Sequence, residues 1–337
     1  MHLFGKNLDT ETVIIAEIGV NHEGDLETAK KLMRLAHQSG ADAAKFQTFT
    51  PDKYASSSDP ARLERVTGFD LGEAGFRELA AEAKNLSFPI FSTAVSDDVI
   101  PFLDELFPVI KIASGDLDFE PVIAAAAKTG KPVILSTGLG NDAEVETAVG
   151  WFAKAAGTTN LRDRLILMHC VSAYPTPIED ANVLAMTHIA EKTGLRTGYS
   201  DHTIGLEACL AAVALGAPVI EVHFTDCKTG REFRDHALSS DPEDMKQLVE
   251  MTSNVRMALG SKQKARQESE LANLSAVRKG VVASRDLKAG TILTREDLMF
   301  ARPATEIPAT EISSVIGQTL TVDLEVGNLV RRKDISN

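Results

Sequence analysis

Eight short apolar segments, each followed by a stretch of helical periodicity, run through the first 260 residues of the chain. They are rich in β-branched residues and read TVIIAEIG (12–19), AAKFQ (43–47), PIFSTA (89–94), VIKIAS (109–114), PVILSTG (132–138), LILMHCV (165–171), RTGYSD (196–201) and VIEVHFT (219–225). Near-continuous apolar strands are typical of a parallel sheet that is buried on both faces. Eight strand–helix units in one run therefore predict an α/β fold of the closed (β/α)8 TIM barrel type rather than an open sheet.

The composition narrows the class of protein further. The 337 residues carry a formal net charge of −13, which disfavours bulk binding to nucleic acid or to anionic membranes. No apolar run approaches the roughly 18 residues of a membrane span, and the N-terminus lacks the apolar core of a secretory signal. The cysteines Cys170, Cys209 and Cys227 have neither metal-ligand nor CxxC spacing. We therefore expect a cytoplasmic enzyme with no nucleic acid or membrane partner.

The pattern changes after the last of these strand–helix units. We predict a barrel over residues 1–262, a polar linker over 263–279 and a small domain over 280–337. This small domain contains an internal repeat, because DLKAGTILTREDL (286–298) matches DLEVGNLVRRKDI (323–335) around a central glycine. Two copies of a strand–turn unit predict a compact pseudo-symmetric module of mainly β structure, which is small for an independent core.

Polar side chains stand at the carboxyl ends of all eight predicted strands, where the active sites of such barrels form. They are Glu17, Lys45, Ser92, Thr93, Lys111, Ser114, Ser136, Thr137, His169, Ser172, Ser200, Asp201, His202, Glu221 and His223. Burying an ionisable group costs several kcal/mol unless it is paired. A rim with so many ionisable groups therefore predicts a functional site.

Two lysines, Lys45 and Lys111, end hydrophobic strands. They could form internal salt bridges with Glu17 or Glu221, or they could recognise an anion. Hydroxyl groups at Thr93, Ser114, Ser136 and Ser200, together with helix N-termini behind several of the loops, would help to hold a phosphate or carboxylate. The combination favours an anionic ligand.

Two histidines and one glutamate complete the predicted site. His202 and His223 end neighbouring strands, which lie roughly 5 Å apart, so they predict a metal site. Two histidines leave several positions for water and substrate oxygens, which suits Mn²⁺ or Mg²⁺ better than a closed zinc site. Glu17 is either the partner of a lysine or a general base.

The residues that carry these features resemble one family. AEIGVNHEGDLETAKKL (16–32), AKFQTF (44–49), KIASGD (111–116), ILSTGL (134–139), HCVSAYPTP (169–177), GYSDHT (198–203) and EVHFTD (221–226) resemble the sialic acid (N-acetylneuraminate) synthase family. The tail is similar to that family's C-terminal antifreeze-like (SAF) domain. The resemblance implies a transferase that condenses phosphoenolpyruvate with an N-acetylated hexose of the N-acetylmannosamine type and water. The products would be a nine-carbon sialic acid and phosphate.

The resemblance also implies roles for individual residues. It assigns phosphoenolpyruvate binding to Lys45, Thr93, Lys111, Ser114, Ser136 and Ser200. It assigns the catalytic carboxylate to Glu17 and a divalent metal ion to His202 and His223, with Mn²⁺ ahead of Mg²⁺ or Co²⁺. It assigns sugar binding to Asp116, Tyr174, Asp235 and, from the tail of a partner subunit, Arg302. The last assignment implies a domain-swapped homodimer.

Three departures from the family pattern lie on the sugar side of the predicted site. Asp116 replaces a glutamate, Ser172 replaces the asparagine of some members, and RPATEI (302–307) replaces an Arg-Pro-Gly-x-Gly-Ile turn. A legionaminic or pseudaminic acid synthase, which uses a diacetamido-trideoxyhexose, is therefore an alternative.

Two further readings receive less weight. A seven- or eight-carbon ulosonate-phosphate synthase would need a second basic cluster for its phosphorylated acceptor, and Arg231 and Arg234 could form one. In another class of function, the tail could be a binding module for ice or polysaccharide, although its many charged residues argue against a flat ice-binding face.

Overall fold

The computed structural model describes residues 1–231 and 233–336, which form two compact units, Met1–Gly260 and Ser261–Asn337. Each unit is described by itself. Across these described ranges, no helix is both long enough and apolar enough to cross a bilayer.

The first unit is a closed barrel of eight parallel strands, so the predicted fold is confirmed. The strands follow one another around the barrel in chain order, and the last of them pairs with the first. After a short hairpin of β1 (His2–Leu3) and β2 (Lys6–Asn7), the barrel strands are β3 (Val13–Gly19), β4 (Ala43–Thr48), β5 (Ile90–Ala94), β6 (Ile110–Ile112), β7 (Val133–Ser136), β8 (Leu165–His169), β9 (Arg196–Asp201) and β10 (Val219–His223).

Helices surround the barrel strands. They are α1 (Leu26–Gln38), α2 (Pro51–Tyr54), α3 (Pro60–Phe69), α4 (Gly72–Asn85), α5 (Ile100–Leu106), α6 (Glu120–Lys128), α7 (Asp142–Ala156), α8 (Leu184–Thr193), α9 (Glu207–Ala214), α10 (Asp235–Leu238) and α11 (Pro242–Leu259). Helix α1 shows why the chain folds this way locally. Asp25 caps it by accepting from the Thr28 amide, and residues one turn apart, such as Leu32 and Ala36, are buried against the sheet.

The connection between β4 and α4 carries two additional helices, α2 and α3, which the sequence analysis did not identify. Asp59 caps α3 and Pro60 occupies its first turn. These helices pack on a small apolar cluster that is separate from the barrel core. Its buried members are Phe49, Ala55 and Val66, and the half-buried residues around them are Val20, Tyr54, Leu63, Phe69 and Val95.

The second unit has its own small apolar core, which includes Val281, Leu298 and Leu320. Its helices are α12 (Glu268–Leu271) and α13 (Leu274–Val277), and its antiparallel strand pairs are β11 (Gly280–Ala283) with β12 (Leu298–Ala301) and β13 (Thr319–Leu320) with β14 (Ile335–Ser336).

The predicted internal repeat is confirmed by reciprocal hydrogen bonds within the second unit. The amides of Leu287 and Leu324 each donate to the other's carbonyl oxygen, at 2.8 and 2.9 Å. Asp286 accepts from the Val326 amide at 2.8 Å, and Asp323 accepts from the Ala289 amide at 2.8 Å. Each copy therefore holds the turn of the other.

Candidate functional site

A cavity of about 1080 Å³ opens at the carboxyl ends of the barrel strands. All barrel residues to which the resemblance assigned a role, except Asp116, line this cavity. Of the other strand-end residues in the predicted rim, Ser172 and Glu221 line it too, whereas Ser92, Thr137, His169 and Asp201 are not among its lining residues. The predicted residues that line the cavity are Glu17, Lys45, Thr93, Lys111, Ser114, Ser136, Tyr174, Ser200, His202, His223 and Asp235.

The floor of the cavity is a network of four buried charged groups. Lys45 Nζ lies 2.7 Å from Glu17 Oε2 and 3.7 Å from Glu221 Oε1, and it donates to Thr93 Oγ1 at 2.9 Å. Strand β3 pairs with β4 on one side and with β10 on the other. The register of these pairs places Glu17 opposite Lys45 of β4 and opposite His223 of β10. The predicted salt bridges of Lys45 are therefore present, and they lie inside the cavity.

The second lysine is held less tightly by carboxylates. Lys111 Nζ donates to Ser136 Oγ at 2.6 Å and lies 3.9 Å from Glu221 Oε1, which also accepts from Ser200 Oγ at 3.2 Å. Burial lowers the pKa of Lys111. The lysine keeps room for a further anionic partner because its nearest carboxylate is at the limit of ion-pair distance.

The two carboxyl groups differ in their proton affinity. Burial raises the pKa of Glu17 to about 7, although the Lys45 ammonium opposes the change. Burial acts in the same direction on Glu221, but Lys111 and Lys45 outweigh it and lower the pKa of this group. Paired groups with divergent proton affinities are typical of acid–base sites. Glu17 is therefore the group that can exchange a proton near neutral pH.

Two neutral imidazoles stand beside the carboxylates. The rings of His202 and His223 have centroids 5.3 Å apart. Burial lowers the pKa of each to about 4, helped at His202 by His223 and at His223 by Lys45. Nδ1 of His202 donates to the Val171 carbonyl oxygen at 2.7 Å, which leaves Nε2 as an acceptor. A neutral imidazole fixed in this way is the form that binds metal.

The imidazole groups of His202 and His223 fit a divalent ion that takes its other ligands from water and substrate. Glu221 Oε2 is buried and has no hydrogen-bond partner among the described residues. Within the same described ranges, no group of three or more His, Cys, Asp or Glu side chains forms a metal cluster. The divalent metal site predicted at His202 and His223 stays a prediction.

Tyr174 and Asp235 also line the cavity. The Tyr174 ring lies 4.3 Å from the His202 ring, centroid to centroid, and the Arg234 guanidinium carbon lies 5.4 Å from its centre. Asp235 accepts from Arg234 Nε at 3.3 Å, and burial raises the pKa of its carboxyl group. Aromatic and carboxylate groups side by side can accept hydrogen bonds from, and stack against, a sugar.

The loop that presents Asp235 is held by a hydrogen-bonded network. Buried His236 contacts Glu23 Oε1 through Nε2 at 3.1 Å and Thr225 Oγ1 through Nδ1 at 2.6 Å. Arg231 binds both oxygens of Asp226, at 2.8 and 2.9 Å. This network joins the loop after β10 to the loop after β3.

Two further residues, Asp116 and Arg302, were predicted to bind the sugar. Asp116 ends a 3-10 turn, Ser114–Asp116, and is not among the cavity-lining residues of the described chain. Arg302 belongs to the second unit, where its Nε donates to the Val277 carbonyl oxygen. The roles predicted for both residues, and the domain-swapped dimer, stay predictions.

The sequence analysis missed several residues that line the cavity. Gln47 Nε2 donates to Glu17 Oε1 at 3.1 Å. Alternation along β4 could have revealed it, because Gln47 follows Lys45 by two residues and points to the same face. Helix α3 contributes Arg62, Arg65 and Phe69, for which the segment offered no strand-end signal.

A closed barrel with buried lysines and carboxylates at the carboxyl ends of its strands defines a TIM-barrel protein with a charged site, and a small repeat-built β domain follows it in the chain. The NeuB family model matches residues 32–264, and the SAF domain model matches residues 278–336. The chain belongs to the NeuB family and ends in a SAF domain. The resemblance deduced from the sequence motifs is therefore confirmed.

Relatives match over nearly the full length. N,N'-diacetyllegionaminic acid synthase of Legionella pneumophila is 38% identical over 328 residues, which cover 93% of this chain and 92% of the relative. Pseudaminic acid synthase of Campylobacter jejuni is 32% identical over 348 residues, 99% of each chain. The crystal structure of N-acetylneuraminic acid synthetase from Leptospira borgpetersenii, in complex with citrate, superposes with a TM-score of 0.73 at 33% identity. The match covers 79% of this chain and 90% of that one.

Proposed function

We propose that the protein condenses phosphoenolpyruvate with an N-acetylated aminohexose and water, giving a nine-carbon nonulosonic acid and phosphate. The observation that carries the proposal is the pair of buried lysines, each bonded to a hydroxyl group, beside two neutral histidines in one cavity. This arrangement supplies positive charge for a phosphate and a carboxylate where water is largely excluded.

The acceptor in this proposal is a diacetamido-trideoxyhexose. Sequence motifs alone placed N-acetylmannosamine first, but the relatives change the order. The chain is 38% identical to a diacetyllegionaminic acid synthase and 32% identical to a pseudaminic acid synthase. We therefore rank a legionaminic acid precursor above a pseudaminic acid precursor, with N-acetylmannosamine kept as the comparison substrate.

In the proposed reaction the lysines bind and orient the enolpyruvyl ester. Lys45 and Lys111 offset its negative charge from their fixed positions, and hydroxyl groups of Thr93 and Ser136 keep both ammonium groups aimed into the cavity. Holding the ester and the sugar together reduces the entropy that a bimolecular encounter must lose. The electron pair of the ester's double bond then forms the new bond from its methylene carbon to the aldehyde carbon of the open-chain sugar. The aldehyde π bond breaks, its oxygen takes up a proton and becomes a hydroxyl group, and an oxocarbenium-like centre is left at the carbon that bears the phosphate.

Glu17 handles the proton in the second half of the reaction. Water adds to the carbon that bears the phosphate, Glu17 accepts the proton, and the tetrahedral centre collapses with cleavage of the bond to the phosphate oxygen. Gln47 and Lys45 hold the Glu17 carboxylate at 3.1 and 2.7 Å. His202 and His223 would hold a divalent ion, Mn²⁺ in the first instance, which as a Lewis acid draws electron density from an aldehyde oxygen.

A phosphate-release assay tests the proposal. Phosphoenolpyruvate and Mn²⁺ are incubated with a diacetamido-trideoxymannose, a diacetamido-trideoxyaltrose or N-acetylmannosamine, and the product is identified by mass. We expect phosphate release and a nonulosonic acid with the first sugar at the highest kcat/KM. Release with none of the three sugars would refute the proposed function.

A further inference from the structure

Helix α3 forms one wall of the cavity mouth and is held there from several sides. Phe69, at its last residue, meets Phe233 of the loop after β10 edge to face, with ring centroids 5.3 Å apart. The carbonyl of Gly68 packs directly on Gly24, in the loop after β3, so closely that no side chain fits at Gly24. Val66 anchors the helix in its own apolar cluster. These contacts fix the position of the helix relative to the cavity.

Two arginines of α3 line the cavity. Arg62 and Arg65 are three residues apart, so they share one face of the helix, and both are exposed. Neither forms a salt bridge with any described residue. The Arg62 guanidinium carbon lies 5.4 Å from the centre of the Tyr54 ring, an interaction that orients the side chain without neutralising it. Two arginine side chains without a salt-bridge partner among the described residues therefore line the cavity of a protein whose net charge is −13.

The arginines of the loop after β10 are both paired with carboxylates. Arg231 binds both oxygens of Asp226 and lies 3.8 Å from Glu23, and Arg234 donates to Asp235. Sequence spacing suggested Arg231 and Arg234 as a second basic cluster for a phosphorylated acceptor. In the structure both are paired with carboxylates, and the unpaired arginines of the cavity are those of α3.

We propose that Arg62 and Arg65 form a second anion-binding subsite, at the outer part of the cavity, and that it takes a phosphate monoester. The planar guanidinium group binds phosphate oxygens in a bidentate manner, which a carboxylate already occupying it would prevent. The proposal deepens the proposed function, because the subsite serves the same cavity. The phosphate has two possible sources: phosphoenolpyruvate as it enters, or a phosphorylated acceptor hexose, which would be a different sugar from the diacetamido-trideoxyhexose proposed above.

The test compares ligand binding to the full-length protein and to variants by titration calorimetry at low salt with Mn²⁺. The probes are phosphoenolpyruvate, N-acetylmannosamine and the 6-phosphate ester of N-acetylmannosamine. The test variant is Arg62→Ala/Arg65→Ala. The matched control is Lys128→Ala/Lys154→Ala, which removes two exposed positive charges on α6 and α7, away from the cavity.

We expect the arginine variant to bind at least one of the two phosphate esters about tenfold or more weakly, with N-acetylmannosamine binding unchanged. A loss confined to the sugar phosphate identifies the acceptor as the source, and a loss confined to phosphoenolpyruvate identifies the entering ester. Arg62→Lys/Arg65→Lys keeps both charges and should retain most of the affinity. Added salt should weaken binding to the wild type more than to the arginine variant.

Equal affinities of the arginine variant and the lysine control for both esters would overturn the subsite, and so would a wild type that binds neither ester. Circular dichroism and the thermal midpoint verify folding. If the double variant is unfolded, Arg62→Gln and Arg65→Gln replace it singly, with the same criterion. The readout needs no turnover, so an absence of phosphate release with every sugar rejects the proposed function without deciding the subsite.

Discussion

Both ends of the barrel contain charged residues, but the solvent exposure of these residues differs between the two ends. At the amino end, Arg196 of β9 binds Asp163 at 2.9 Å and Asp9 at 2.9 and 3.2 Å, and these carboxylates are 72% and 50% exposed. At the carboxyl end, Lys45, Lys111, Glu17 and Glu221 have side chains no more than 6% exposed. One end neutralises its charge with solvated partners, and the other keeps its charge away from water around a cavity.

This difference separates stability from function. A buried charge loses hydration that ion pairing only partly replaces, so a fold gains little by collecting four of them in one place. Charge at the amino end of such barrels stabilises the fold, whereas the carboxyl end carries the chemistry. Substitutions at the two ends should therefore affect different measurements.

The largest effect on activity is expected for Glu17→Gln. Loss of the proton acceptor should reduce turnover roughly 10²–10⁴-fold, with the KM values for both substrates within a few-fold of the wild type. Steady-state phosphate release measures turnover, and a urea denaturation curve measures the free energy of unfolding. The free energy of unfolding should stay unchanged or rise, because burial outweighs the Lys45 ion pair and raises the pKa of Glu17 to about 7, so the ionised carboxylate does not stabilise the fold near neutral pH. Near-normal turnover would remove Glu17 from the mechanism.

Lys111→Met should come next. It removes one of the two fixed positive charges, so kcat/KM for phosphoenolpyruvate should fall about 10²–10³-fold. Lys128→Met, an exposed substitution on α6, serves as the control and should leave kcat/KM intact. A Lys111→Met enzyme within tenfold of the control would contradict an anion site at this lysine.

A smaller effect is expected for the metal response of His202→Ala. Removal of one of two imidazole ligands should raise the Mn²⁺ concentration needed for half activation by at least about tenfold. Activity of the chelator-treated protein is followed as Mn²⁺ is returned, and direct Mn²⁺ binding is measured by electron paramagnetic resonance. Full activity of the wild type in the presence of excess chelator would refute the metal role.

The smallest effect on activity is expected at the amino end. Arg196→Ala should leave kcat/KM within about twofold and lower the free energy of unfolding by about 1–3 kcal/mol, since the buried guanidinium holds two charge-assisted contacts. Activity and urea denaturation measure the two effects. An activity loss comparable to that of Lys111→Met would break the distinction between the two ends.

The barrel was predictable because most of its strands are near-continuous apolar runs. All residues of β3 are buried, which is the condition that a continuous apolar run signals. Lys45 and Lys111 were predictable for the same reason. A charged side chain in a buried strand is accommodated in the polar cavity at the carboxyl ends of the strands. Local pattern and global fold agree in this part of the chain.

The outer wall of the site could not be predicted in the same way. The Asp59–Pro60 pair signals the start of a helix, but nothing local indicates that α3 lies over the mouth. That position depends on the contact of Phe69 with Phe233, which is distant in sequence. Asp116 shows the converse, since it ends a short turn after β6 and is not among the residues that line the cavity, whereas Ser114, two residues earlier, lines it.

Helices α2 and α3, in the connection between β4 and α4, pack on an apolar cluster that is separate from the barrel core. Phe49, Ala55 and Val66 support these helices without sharing the hydrophobic interior of the eight strands. Exchanges of residue type at the exposed positions of α2 and α3 would thus alter the outer wall of the cavity and leave the buried groups at the strand ends undisturbed. A library of variants confined to this connection is a direct way to redirect substrate choice while retaining the chemistry.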